Sequence, residues 1–247
     1  LRPAGAELAL PDGFRYWIVN EIGQPMSDGT PTPNAFDGMA AFPLANGDIR
    51  LIRNHENRDG PGEATPLGRP ERSYDPVAGG GTTTLDGRID PDGTPRLIRD
   101  FVSLSGTIIN CAGGPTPWGS WLSCEESVDG TRNGWQREHG YVFEVPVASE
   151  AEASPVPITG MGRFVHEAVA VDPATGIVYL TEDAGRSGFY RYIPRTPERM
   201  LDGGRLEMLV LHELPQHDTA SGQWVGRTRP VRWVPSDDPD PAPDDRS

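Results

Sequence analysis

The chain has 247 residues with 30 Gly and 26 Pro, enough for one large all-β domain or two ordinary ones. Its formal net charge of −14, carried against arginine alone since no lysine occurs, excludes a nucleic-acid-binding role: an acidic surface repels phosphate backbones, and a phosphate ester would need bound cations to approach it. No run reaches the roughly 18 apolar residues of a membrane span, no apolar signal core precedes the first elements, and two cysteines are too few for a disulfide scaffold.

In chain order, β-branched and aromatic runs bounded by Gly, Pro, Asp and Asn predict strands at 14–19, 49–53, 81–85, 96–104, 120–124, 141–145, 168–172, 177–181, 189–193 and 206–211. No stretch carries a helical period. The segments 57–77 and 149–158 read as surface loops, because strand-like runs resume in the same style on either side. The Asp/Pro-rich end, 235–247, is expected to be a disordered tail, leaving 1–234 as one domain.

A loose repeat runs through this order. Arg50-Leu-Ile-Arg-Asn-His-Glu56, Ser120-Trp-Leu-Ser-Cys-Glu125 and Val178-Tyr-Leu-Thr-Glu182 finish alike, which aligns Glu56, Glu125 and Glu182. Each copy follows a Gly-containing turn, Ala45-Asn-Gly47, Pro115-Thr-Pro-Trp-Gly119 and Pro173-Ala-Thr-Gly176, and an earlier strand-like segment. That earlier segment opens with Cys111 in the second copy and Glu167 in the third, with Asp37 the nearest counterpart in the first. Repeats of several antiparallel strands predict propeller blades, whose repeated acids converge on one mouth of the channel. The competing reading is that these acids only close turns.

The densest motif is Asn110-Cys-Ala-Gly-Gly-Pro-Thr-Pro-Trp-Gly-Ser-Trp-Leu-Ser-Cys-Glu-Glu126. Cys111 and Cys124 are placed to face each other across a hairpin, so a disulfide, a pair of buried thiols and a single thiolate ligand all stand open. One thiolate among Glu56, Glu125 and Glu167 would suit a transition metal, and surplus carboxylates would suit calcium. In Gly162-Arg-Phe-Val-His-Glu167 the histidine reads as structural and Glu167 as the ligand candidate; in Thr181-Glu-Asp183 alternation directs only one of the two carboxylates to a shared site. Asp86, Asp90 and Asp92 lack calcium-loop spacing, and there is neither a phosphate-cradling P-loop nor a Gly-x-Ser-x-Gly elbow.

Asn54-His-Glu56, the block from Asn110 to Glu126, Gly162 to Glu167 and Tyr179-Leu-Thr-Glu-Asp183 together resemble the successive signatures of the PhoX-type secreted alkaline phosphatases. The resemblance implies a six-bladed β-propeller, here incomplete because the family's later Arg-x-Glu segment has no counterpart, and a phosphomonoesterase exported by the twin-arginine route to the periplasm or beyond. It implies Fe(III) and Ca2+ as cofactors, small phosphate esters as partners, a monomeric full-length form, and a metal-activated oxygen nucleophile. Cys111 would bridge the irons, Glu56, Glu125 and Glu167 would be carboxylate ligands, and Glu126 and Asp183 would serve calcium or the surrounding shell. A noncatalytic propeller scaffold is the alternative, and a calcium-dependent propeller lactonase ranks behind both because it gives Cys111 no role.

Overall fold

The computed structural model describes residues 2–3, 8–64, 66–214, 216–220 and 225–242. The chain is all-β: fourteen strands joined by turns, four single 3-10 turns, and no α-helix among the described residues. Three antiparallel meanders carry the fold. The first is β3 (Phe36–Pro43), β4 (Ile49–His55), β5 (Gly80–Ile89) and β6 (Pro95–Thr107); the second is β7 (Asn110–Pro115), β8 (Ser120–Glu125) and β9 (Val142–Pro146). The third is β10 (His166–Val171), β11 (Val178–Glu182), β12 (Phe189–Pro194), β13 (Gly204–Leu211) and β14 (Val231–Pro235). A short pair, β1 (Arg2–Pro3) and β2 (Ala9–Leu10), precedes them.

Every meander opens with the same hairpin. Gly47, Gly119 and Gly176 turn β3 into β4, β7 into β8 and β10 into β11 at φ of 85°, 83° and 70°, a left-handed backbone that glycine adopts without strain. The ladders share one irregularity. Phe36 pairs with His55 and Met39 with Arg53; Asn110 pairs with Glu125 and Gly113 with Ser123; His166 pairs with Glu182 and Val169 with Leu180. Each first strand therefore carries a β-bulge, two residues opposite one, at the same place.

The middle sheet is buried on both faces, and period-two alternation divides its side chains between two cores. Leu122, Cys124 and Val142 pack with Val169, Val178, Leu180 and Tyr192 of the third sheet. Trp121, Phe143 and Val145 pack with Ile52 and Leu104 of the first. Burying each such Leu or Phe contributes roughly 1.5–3 kcal/mol, so the three sheets are fastened in series and their first strands, β3, β7 and β10, lie side by side.

Several expected elements differ. Residues 14–19 make no ladder, and Phe14 and Ile18 are exposed. The strands β3 and β14 carry Gly, Pro or Arg within them, which hides their pattern. Cys111 and Cys124 are both free thiols, so the disulfide alternative falls. The segment after Pro235 is held to the body as far as Asp240. The Ser236 amide donates to the Leu206 carbonyl at 2.9 Å, the Arg163 amide to the Pro239 carbonyl at 2.9 Å, and the Tyr141 hydroxyl to Asp240 at 2.9 Å; residues 243–247 lie outside the described set.

Candidate metal centre

The shared bulge decides which side chains meet. Directly after the paired residues Phe36, Asn110 and His166 come Asp37, Cys111 and Glu167, the first bulge residues of the three hairpins. Directly after the strand ends His55, Glu125 and Glu182 come Glu56, Glu126 and Asp183. The backbone confirms the equivalence: the Glu56, Glu126 and Asp183 amides donate to the carbonyls of Ala35, Ile109 and Val165 at 2.8, 2.9 and 3.0 Å. Ala35 and Ile109 reach these bonds at φ of 53° and 46°, a left-handed conformation that costs roughly 1–2 kcal/mol in a residue with a Cβ.

These positions converge. Ligand-type atoms of Asp37, Glu56 and Cys111 lie within 4.8 Å of one another, as do those of Cys111, Glu126 and Glu167, so the Cys111 thiol is common to both groups. Cys111 Sγ is 3.4 Å from Glu167 Oε1. The Asp183 carboxyl lies against Glu126 and helps raise it, which places Asp183 at the same rim. One cation enters the set: the Arg58 guanidinium donates to Glu56 and, at 2.7 Å, to Glu126 Oε2.

The electrostatics record a deficit of positive charge. Burial, with hydrogen bonds to Glu56 and Asp183, pushes the Glu126 carboxyl up to about 7 in spite of Arg58. Burial and the neighbouring Glu56 also raise Asp37. Burial and the Asp37 and Glu167 charges hold the Cys111 thiol far above its ordinary range. Crowded acids, two of them raised, around a thiol also raised would be relieved together by cations, which favour carboxylates and thiolates. A soft sulfur donor beside hard oxygens suits a transition metal, and the remaining carboxylates suit a calcium-like ion.

Glu125, expected as a ligand, is elsewhere. Its carboxylate is fully buried and accepts from the Ile108, Gly140 and Tyr141 amides at 3.0, 2.8 and 3.1 Å, and it bonds His139 Nδ1 at 2.7 Å. The other imidazole nitrogen faces Asp75 at 3.4 Å, and Asp75 also accepts from the Val77, Gln136 and Arg137 amides. Burial alone would strip the His139 proton, yet Glu125 and Asp75 outweigh it and lift the imidazole to about 9. Glu182 is likewise occupied, accepting from the Gly188 amide at 2.8 Å and the Tyr190 hydroxyl at 3.1 Å.

The expected set is therefore redistributed. Glu56, Cys111, Glu126, Glu167 and Asp183 come together, Asp37 joins them and Glu125 leaves. Likeness of the strand ends aligns the second and third copies one residue early, because the doublets Glu125-Glu126 and Glu182-Asp183 offer two acids each. His166 Nε2 meets the Gly162 carbonyl at 3.0 Å, and burial lowers the ring to about 4. Asp86 is paired with Arg50 and Arg99, and Asp92 caps its own turn at Thr94. The role of Arg58 gave no sequence signal, since it lies in a charge-rich loop.

Fold and rim together define an all-β protein whose clustered thiol and carboxylates could hold a metal ion. The family described as alkaline phosphatase PhoX matches residues 3–246, nearly the whole chain. This chain belongs to the PhoX alkaline phosphatase family. No curated protein and no solved structure matches it. Among the described residues no helix is long and apolar enough to cross a membrane.

Proposed function

We propose that the protein hydrolyses phosphate monoesters at a cluster of Fe(III) and Ca2+ held by Asp37, Glu56, Cys111, Glu126, Glu167 and Asp183. The observation that carries this reading is the sharing of Cys111 by two ligand groups on a rim whose acids exceed their counter-charges. When bound, such cations supply charge neutralisation for the phosphoryl oxygens and an activated oxygen nucleophile. The chain's own residues contribute the rest. The three bulges aim Asp37, Cys111 and Glu167 at one point, and the three strand ends bring Glu56, Glu126 and Asp183 to it. Arg58 supplies a positive side chain, 60% exposed, at the edge from which an anionic ester arrives.

The same reading takes each meander as one blade of a propeller, with 1–234 as its domain and the bulged first strands lining the axis; the contacts of β7 with both β3 and β10 support it. Family membership supports export to the periplasm or the medium. The test is elemental analysis of the purified protein beside hydrolysis of an aryl phosphate before and after chelation. Iron and calcium in the protein, with activity lost on chelation and restored by the ions, is expected. Undiminished hydrolysis by the stripped protein contradicts the proposal, and a chain with neither metal nor activity favours the scaffold reading.

A further inference from the structure

Asn54 is fully buried near the end of β4, one strand pair away from Cys111 in the neighbouring sheet. Its Nδ2 donates to the Cys111 carbonyl at 3.0 Å and to the Ala112 carbonyl at 2.8 Å. Its Oδ1 accepts from Trp121 Nε1 and from Ser123 Oγ, both at 2.9 Å. Both amide hydrogens and both acceptor positions are thus used, which fixes the amide's orientation. The network runs on, with Asn110 Nδ2 donating to Ser123 Oγ at 2.9 Å and Thr107 Oγ1 to Asn110 Oδ1 at 2.6 Å.

The bonded carbonyls belong to the two bulge residues of β7, a place where a ladder is locally disrupted. From the other side the bulge meets β3, so closely that a Cβ on Gly38 would lie 2.7 Å from Ala112 Cα and 2.8 Å from the Cys111 oxygen. The corresponding residues of the other hairpins do not reach across sheets in this way. Thr181 exchanges its hydroxyl with the backbone of Ala168 in its own sheet, and Cys124 lies in an apolar core.

We propose that Asn54 is a positioning residue for Cys111: it grips the Cys111–Ala112 bulge from the adjacent sheet and so sets where the thiol points. The consequence for metal binding rests on the reading of the rim as a cation site; the grip itself does not. Its first test therefore uses metal-free protein and the two thiols. Cys111 is half-buried and Cys124 fully buried, so Cys124 reports whether the fold is intact.

Iodoacetamide labelling of each cysteine would be followed by mass spectrometry in wild type, Asn54→Ala and Asn54→Asp. The aspartate keeps the acceptor for Trp121 and Ser123 and removes the donors to the bulge. Losing a buried hydrogen-bond grip is expected to speed Cys111 labelling roughly tenfold, with Cys124 still silent. Equal Cys111 rates in wild type and either folded variant overturn the proposal. So does parallel acceleration of both thiols in both variants, the mark of general loosening.

A second arm adds Co2+ and reads the thiolate-to-cobalt absorption band. The band is expected to weaken or shift in Asn54→Asp, with metal affinity reduced roughly 10–100-fold. An unchanged band contradicts the positioning role. A wild type with no band contradicts the cation site instead and leaves the labelling rates to decide Asn54.

Discussion

Glu125 and Glu126 are joined by one peptide bond and inhabit opposite chemical regimes. Glu125 belongs to a buried network in which acceptors are matched by donors: three backbone amides and the His139 ring meet one carboxylate. Glu126 belongs to a rim where Glu56 and Asp183 crowd it, Cys111 and Glu167 lie close by, and Arg58 is the cation that answers them. An acid whose donors are supplied by the fold has no need of a metal, whereas a cluster of acids short of donors is poised for one. The comparison teaches that counting acids in a sequence locates such a centre only to within a residue; the supply of hydrogen-bond donors says which acid is spare.

The contrast is broken most severely at Glu125. Truncation by Glu125→Ala strands a buried imidazolium and three amides, and is expected to cost about 3–5 kcal/mol in chemical denaturation, an effect metal should not repair. Next comes pH. His139 has its folded value raised to about 9 from an ordinary 6.5, so its ion pairs contribute fully below about 6.5 and are lost as pH rises through about 9. The loss is expected to approach about 3 kcal/mol in the most alkaline buffers. Denaturation midpoints of metal-free protein across that window should fall for wild type and stay flatter for His139→Gln.

On the rim, Cys111→Ser should leave the folded baseline close to wild type while weakening transition-metal binding by about a hundredfold or more; calorimetric titration checks both halves of that statement. The smallest effect belongs to Arg58. Arg58→Ala removes two ion pairs of a guanidinium that is itself 60% exposed, so the metal-free protein should lose less than about 1 kcal/mol. Metal affinity should rise a few-fold, because a competing cation is gone. Weaker metal binding in this variant would mean that Arg58 supports the bound state rather than competing with it.

Much of the architecture could be read from the chain itself. The Gly47, Gly119 and Gly176 turns, the buried runs around Ile52, Leu122 and Leu180, and the repetition of hairpins all follow from alternation and turn chemistry. What could not be read is the bulge. One extra residue in each first strand leaves no compositional mark, yet it places Asp37, Cys111 and Glu167 alike; the step from Glu125 and Glu182 to Glu126 and Asp183 is hidden instead by the acid doublets at those strand ends. Residues 14–19 misled for the opposite reason, since Phe14 and Ile18 have strand propensity but no partner edge. Asn54 was visible as part of a motif, but its reach into the neighbouring sheet is a tertiary fact.

The most direct measurement is a crystal structure of the metal-loaded protein with anomalous scattering collected at the iron and calcium signals. The account predicts ions bonded to Cys111 Sγ and to the carboxylates of Glu126 and its rim partners, with Glu125 still turned toward His139 and the backbone. Ions found on Glu125, or a rim that stays free of metal while Arg58 keeps its place between Glu56 and Glu126, would contradict it.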